Sequence, residues 1–424
     1  MSRSPDRPGP DRPGDAAPDA PDAPPAPRAA NALDAPVPDA PQTPRAPSYQ
    51  TSAFDYTLPP ELIARHPAER RDESRLLVVD RARRTFQDHI FRELPAFISP
   101  GDAVVLNETR VFPARLVGRR PGGGEAEVFL LTAVDGETAR QRDGASRAAE
   151  AAGAPETARH SQSRTPAVPQ SVLWRALVRP GSKLRPGKTV EVGEDLRVHI
   201  VGVEPDGTRL VELETPLPLD VALERYGRVP LPPYIDREPE PEDVARYQTV
   251  YARERGSVAA PTAGLHFTPA VLQALEAGGV ELVRLVLHVG VGTFRPVEVE
   301  DPAAHRMHAE WYRVPPAAAA ALNAVRERGD RIWAVGTTVA RTLETVADET
   351  GRVHPGEGWT DIFLRPPYRF RAVGGLLTNF HLPRSTLLML VAALADRELV
   401  LAAYRHAIAA RYRFYSYGDA MLIL

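Results

Sequence analysis

The sequence predicts an α/β fold: a layered mixed sheet with a small β-barrel-like domain inserted into it. Three observations carry this expectation. Short β-branched runs crowd between residues 113 and 215, and strand–helix–strand alternation lies downstream of them. The loops that follow the downstream strands collect glycine, hydroxyls and histidine, as ligand loops at strand ends do. With 424 residues, 43% hydrophobic and 25% charged, the chain can bury the cores of two or three domains.

Residues 1–50 hold 14 of the 44 prolines and few large apolar side chains. Such a segment buries too little surface to offset its ordering entropy, so it is expected to be a disordered tail. Residues 51–112 and 216–424 are assigned to the α/β catalytic domain. Between them, ARLVGR, AEVFLLT, LWRALVR, KTVEVG, LRVHIVGVE and TRLVELE read as six strands. PGGG at 121–124, RPGSKLRPG at 179–187 and EPDG at 204–207 supply turns, giving a small barrel or sandwich over 113–215. A polar, alanine- and arginine-rich stretch at 133–170 reads as a flexible loop between two of those strands. Downstream, Pro269 to Gly278 is a helix opened by Thr268-Pro269, leading into the strand VELVRLVLHVG. Pro316 to Gly329 is an alanine-rich helix before the strand RIWAVG, and Val339 to Thr350 is the next helix.

Composition narrows the chemistry. The chain has no cysteine, which excludes disulfides, thiolate nucleophiles and cysteine metal sites. The net charge is −3, yet from Arg365 to Leu424 eight arginines face only Asp396, Glu398 and Asp419. Lys183 and Lys188 are the only lysines, and arginine suits phosphate and base contacts in RNA. No apolar stretch follows the N-terminal arginines, and the run Leu387–Ala395 is too short for a bilayer. A cytoplasmic protein without a membrane partner is expected.

Four loop segments attract attention. His288-Val289-Gly290-Val291-Gly292-Thr293-Phe294-Arg295 follows one strand, and Gly336-Thr337-Thr338 follows another at a helix start suited to an anion. Gly256 to Phe267 holds Ser257, Thr262 and His266 among small residues. Leu377 to Thr386 holds Asn379, Phe380, His381 and Arg384 before an apolar helix. A single histidine in such a loop is usually structural; three in separate polar loops favour chemistry. His305-Arg306-Met307-His308 has a metal-like spacing, but with no partner motif no metal site is assigned. Neither a dinucleotide fingerprint nor a Gly-Lys-Thr phosphate loop occurs.

Seven strings in order resemble one family: LNETRVFPARL at 106–116, YQTVYARERGSVAAPTAGLHF at 247–267, HVGVGTFRPV at 288–297, HRMHAEWY at 305–312, AVGTTVARTLE at 334–344, LLTNFHLPRSTLLMLVAAL at 376–394 and YRFYSYGDAMLIL at 412–424. They are similar to the S-adenosylmethionine:tRNA ribosyltransferase-isomerase family of queuosine biosynthesis, over roughly 54–132 and 172–424. The resemblance implies transfer of the ribosyl group of S-adenosylmethionine to an aminomethyl-deazaguanine at the tRNA wobble position. The ribose is rearranged to an epoxycyclopentane, giving epoxyqueuosine-tRNA, and adenine and methionine leave. S-adenosylmethionine would be a co-substrate, with no permanently bound cofactor, the tRNA anticodon loop the partner, and the protein a monomer.

On this resemblance His266, His288 and His381 are the acid/base candidates, without individual roles. Arg295, Thr337, Thr338, Ser257 and Thr262 would hold the donor's carboxylate and ribose, with Asn379 among the substrate contacts. Phe294 or Phe380 would face the sulfonium. Arg110, Arg384, Arg411 and Arg413 would hold anticodon-loop phosphates. Two departures stand out: Pro366-Pro367-Tyr368 replaces the family's usual Pro-Gly-Tyr, and Gly374-Gly375 stands near its usual aspartate. A related transferase with another RNA substrate, or a silent binding protein, would share these features.

Overall fold

Along β1 (Arg75–Asp80) the side chains alternate, as a strand requires. Leu76 and Val78 enter one buried cluster while Leu77 and Val79 enter another. This two-sided burial marks a sheet covered on both faces. The computed structural model describes residues 49–134, 173–290, 292 and 297–424. Most of the expected tail, the 133–170 loop beyond residue 134, and Phe294 and Arg295 lie outside the described residues.

After β1 come β2 (Thr85–Ile90), β3 (Ala103–Asn107) and β4 (Thr109–Val111). Then follow β5 (Arg115–Arg119), β6 (Glu125–Val134), β7 (Leu173–Arg179), β8 (Thr189–Gly193), β9 (Leu196–Val203), β10 (Arg209–Glu214) and the short β11 (Gly227–Arg228). The chain ends with β12 (Glu254–Ser257), β13 (Glu281–Leu287), β14 (Glu310–Val314), β15 (Ile332–Val335), β16 (Gly356–Thr360), β17 (Gly375–Asn379) and β18 (Ala420–Ile423).

Nine of these strands make one mixed sheet, in the order β16-β14-β13-β3-β15-β17-β18-β1-β2. Its centre is parallel: β3 pairs in parallel with β13 and β15, and β15 with β17. Their C-terminal ends therefore share one edge. Helices Pro316–Glu327, Thr337–Val346, Thr386–Ala395 and Arg397–Ala409 supply much of the cluster on one face. Helix Pro269–Ala277 packs Val271 and Leu275 against the other with Phe91, Leu94 and Trp333.

The six strands expected between 113 and 215 are β5 to β10, all paired antiparallel, and a β5–β8 pairing closes them into a barrel. The barrel is therefore the outcome, not the sandwich. Its sheet gains β11 on β5, and Ala222 and Leu223 of helix Leu219–Tyr226 enter its core. The barrel's packing thus reaches past residue 215.

Helix boundaries follow local chemistry. Thr268 caps Pro269–Ala277 by accepting a bond from Val271 N at 3.3 Å. The helix expected over 339–350 begins at Thr337, because Gly336 takes a φ of 88° and turns β15 directly into it. It stops at Val346, where Ala347 bridges to Val353.

Candidate active-site cleft

Three strand ends and two distant segments converge on one cleft with about 600 Å³ of empty space, open to solvent. After β15, Gly336, Thr337 and Thr338 form one wall; after β17, Asn379 to Leu382 form another. Pro261 to Ala263 and Val289 close the sides, while Tyr234, Tyr415 and Ser416 arrive from elsewhere. No described residue lining the cleft carries a formal charge when its histidine is neutral.

Local bonds fix these walls. Gly336 N donates to Leu377 O at 2.7 Å, locking the two strand ends together. Ser385 caps the apolar helix Thr386–Ala395 by accepting from Leu388 N at 3.2 Å. Tyr234 Oη and Ser416 Oγ lie 2.6 Å apart, joining the two distant segments. Further out, Glu310 accepts from Gly290 N at 2.8 Å and forms a buried ion pair with Arg341, anchoring the start of the 288–297 loop.

His381 lines the cleft. Its Nε2 lies 2.7 Å from Thr378 Oγ1, and its Nδ1 has no hydrogen-bond partner among the described residues. Burial pushes its pKa down to about 3, so the imidazole is neutral near pH 7. His266 sits behind the wall instead, stacked on Phe91 with ring centroids 5.1 Å apart. Ser74 Oγ donates to Arg71 O at 3.2 Å and so accepts from His266 Nδ1 at 2.7 Å. That leaves Nε2 to accept from Asn379 Nδ2 at 3.1 Å. Burial, then the nearby Arg413 and Arg71, lower its pKa to about 3. Both ring nitrogens are committed, and His266 acts on the cleft only by orienting Asn379. His288 stacks on Trp311 and its Nδ1 lies 2.8 Å from Thr109 Oγ1; burial, then Arg313, lowers its pKa to about 4.

The other candidates separate in the same way. Thr262, Thr337, Thr338 and Asn379 line the cleft. Thr338 Oγ1 and Asn379 Oδ1 are buried without a partner among the described residues. Asn379 cannot turn to relieve this, since its Nδ2 also donates to Tyr415 O at 3.1 Å. Ser257 accepts from Val289 N at 2.8 Å and donates to Ala259 O at 2.8 Å, so its hydroxyl holds loops together and does not line the cleft. Phe380 borders the cleft, but its ring is sealed among Tyr404, Tyr412 and Phe414, and this burial removes it as a sulfonium contact.

The arginines are not one surface. Arg110 borders a separate cavity with Phe112, Gln248 and Arg255. Arg384 reaches Glu300 at 3.5 Å, and Arg411 is exposed beyond the last helix. Arg413 lines a second cavity behind the cleft. No group of three or more histidine, aspartate or glutamate side chains suited to a metal occurs among the described residues. Sequence reasoning missed Tyr234, Tyr415 and Ser416, although the last two fall within the YRFYSYGD string.

A barrel-bearing mixed sheet with a hydroxyl-lined cleft at its parallel strand ends, uncharged among its described lining residues, has the form of an α/β small-molecule site. The chain belongs to the queuosine biosynthesis protein family, whose model matches residues 51–423. It is similar to the S-adenosylmethionine:tRNA ribosyltransferase-isomerase of Symbiobacterium thermophilum, at 54% identity over 88% of this chain and 99% of that protein. The protein of the same name from Moorella thermoacetica is 51% identical, over 88% and 98% respectively. A crystal structure of S-adenosylmethionine tRNA ribosyltransferase from Thermotoga maritima is 36% identical, covering 88% of this chain and all of that one (100%), with a TM-score of 0.46.

Proposed function

We propose that this chain carries out the reaction for which its relatives are named. It transfers and isomerises the ribosyl group of S-adenosylmethionine onto a prequeuosine-type aminomethyl-deazaguanine in tRNA, releasing adenine and methionine. The observation that carries the reading is the cleft itself: no charged residue among its described lining, and two polar atoms in its walls, Thr338 Oγ1 and Asn379 Oδ1, that lack a protein partner among the described residues. A buried polar group without a partner costs about 1–3 kcal/mol, and a ligand that satisfies it recovers that cost.

The donor is a sulfonium cation whose neighbouring ribose carbon is acidified. Thr337 and Thr338 at their helix start suit its carboxylate. Asn379 Oδ1 suits a ribose hydroxyl or an exocyclic amine, and Thr262 lies across the cleft. His381 is the proton acceptor of choice among the three histidines. When its Nε2 donates to Thr378, Nδ1 offers a lone pair to the cleft. Because burial disfavours the imidazolium, a proton taken there must pass on to departing adenine within the same sequence of steps. His266 positions Asn379, and His288 supports the loop that carries Phe294 and Arg295.

The substrate's anticodon loop is read as entering with its wobble base splayed, and the chain as a cytoplasmic monomer. No helix among the described residues is long and apolar enough to cross a membrane. We also read 51–112 and 216–424 as the catalytic domain and 113–215 as its insert. The test is incubation with S-adenosylmethionine and tRNA carrying the aminomethyl-deazaguanine, followed by mass spectrometry of nucleosides. Epoxyqueuosine with equimolar adenine is expected. Bound donor and bound tRNA without product would overturn the proposal.

A further inference from the structure

Behind the cleft, across a partition made by Asn379 and Ser416, lies a second cavity with about 270 Å³ of empty space. Arg71, Arg246 and Arg413 line it with Ser74, His266, Ser416 and the turn at Tyr417-Gly418. Ser416 borders both spaces, and His266 touches this one while holding the Asn379 of the other.

The charge here is only partly balanced by protein. Arg71 donates only to backbone carbonyls, at 2.7 Å to Ala245 and 3.0 Å to Leu265, and meets no carboxylate among the described residues. Burial, then repulsion from Arg246, lowers its pKa. Arg246 bonds Glu242 at 3.2 Å and the carbonyl of Glu69 at 3.1 Å, but its buried Nε has no partner. Arg413 lies 3.9 Å from Asp419, whose oxygens are taken by the backbone N–H groups of Arg75 and Arg413 itself. Three guanidinium groups thus line one small, solvent-open pocket, with one orphaned donor and one cation lacking any counter-charge among the described residues. Holding them together without an anion is costly, and a bound oxyanion would offset that cost.

We propose that this cavity is an oxyanion site that holds a backbone phosphate of the tRNA, beside the nucleotide whose base enters the cleft. The proposal rests on the RNA reading above. The donor's carboxylate is the other source of an oxyanion, but Thr337 and Thr338 already offer it a place inside the cleft. A phosphodiester, like a carboxylate, offers two charged oxygens to the guanidinium forks, and arginine is suited to phosphate in RNA.

Two variants test it, Arg413→Gln and Arg246→Gln. Arg71 is left intact because it ties Ala245 and Leu265 to the fold. Inorganic phosphate, against chloride at equal ionic strength, should raise the melting temperature of the unaltered protein but not of either variant. An unmodified anticodon stem-loop should bind each variant about tenfold more weakly, with a salt slope smaller by about 0.7. Replacing single phosphates near the wobble nucleotide by neutral methylphosphonates should weaken binding to the unaltered protein at one linkage that is silent in Arg413→Gln. S-adenosylmethionine affinity should not change. Weakened donor binding with unchanged RNA affinity would assign the cavity to the carboxylate and overturn the proposal. Equal methylphosphonate sensitivity in protein and variants would also overturn it. Phosphate protection without any stem-loop binding would refute the RNA assignment. None of these readouts needs turnover, so failure of the ribosyl-transfer reading shows up separately, in the nucleoside assay.

Discussion

Acidification should destabilise the ligand-free protein above the pH range in which most carboxylates titrate, and the buried histidines, His266 and His381 foremost, account for it. Burial holds both His266 and His381 at a pKa of about 3, against an ordinary value of 6.5. Between those values the unfolded chain binds a proton that the folded chain refuses, so stability rises with pH. The histidine contribution is fully present above about pH 6.5 and is lost as the pH falls towards 3. Going from pH 7 to pH 5 should cost about 2 kcal/mol per histidine, or about 4 kcal/mol for the pair. Asp88 and Asp243 have lowered values and titrate below this window, whereas burial raises Asp419, which opposes the trend. The assay is urea unfolding at pH 7, 6 and 5, with His266→Gln and His381→Asn beside the unaltered protein. Either substitution changes stability at pH 7, so the readout is the slope. Each variant should lose about a third of it and the double variant about two thirds, His288, held at a pKa of about 4, supplying the rest. A slope unchanged in the double variant would show that these imidazoles are not held neutral by burial, and the roles derived for them would fall.

Other perturbations have defined outcomes. Thr338→Val removes an orphaned hydroxyl, so ligand-free stability should hold or rise by up to about 1 kcal/mol while the KM for S-adenosylmethionine rises about tenfold, read by melting and initial rates. Gly336→Ala meets Ala263 only at an ordinary 3.6 Å, so its cost is backbone strain at a φ of 88° and ψ of 157°, about 1–3 kcal/mol, read as a shifted urea midpoint. Glu310→Gln and Arg341→Met each break a buried ion pair and should cost about 3–5 kcal/mol, with the double variant costing less than the sum in a denaturation cycle.

Much of the fold is legible because its strands obey period two on both sides of a covered sheet, as Leu76 to Val79 do. The barrel strands are legible from their turns, but closure is not: it depends on one Arg119–Glu191 pairing between strands far apart in sequence. In the cleft, Thr262, Thr337, Thr338, Asn379 and His381 could be picked out because they follow strands or glycine-rich turns. Tyr234 and Ser416 could not, since a contact between residues so distant in sequence leaves no local pattern. Nor does sequence say which hydroxyls and rings are already occupied. Ser257 and Phe380 look available until their bonds and packing are seen. The Gly374-Gly375 departure has a similar local explanation: a Cβ on Gly375 would lie 2.3 Å from the Trp333 ring, and one on Gly374 would lie 2.6 Å from Arg331. Any side chain at that strand start must first displace the tryptophan or arginine that fills the space.

The two cavities divide charge in the sense the proposed substrates require. A sulfonium needs a site free of positive charge, and at about 4 Å a second cation would repel it by about 4 kcal/mol in a protein-surface dielectric. Among the described residues the cleft lining carries no arginine, and burial keeps its His381 neutral. The same burial that makes His381 a weak base therefore makes it a tolerable neighbour for the donor. RNA needs the opposite environment, and the arginines that supply it stand behind Asn379 and Ser416, with that wall between them and the cleft. The wall, with His266 fixing Asn379 from behind, thus has an electrostatic function as well as a structural one.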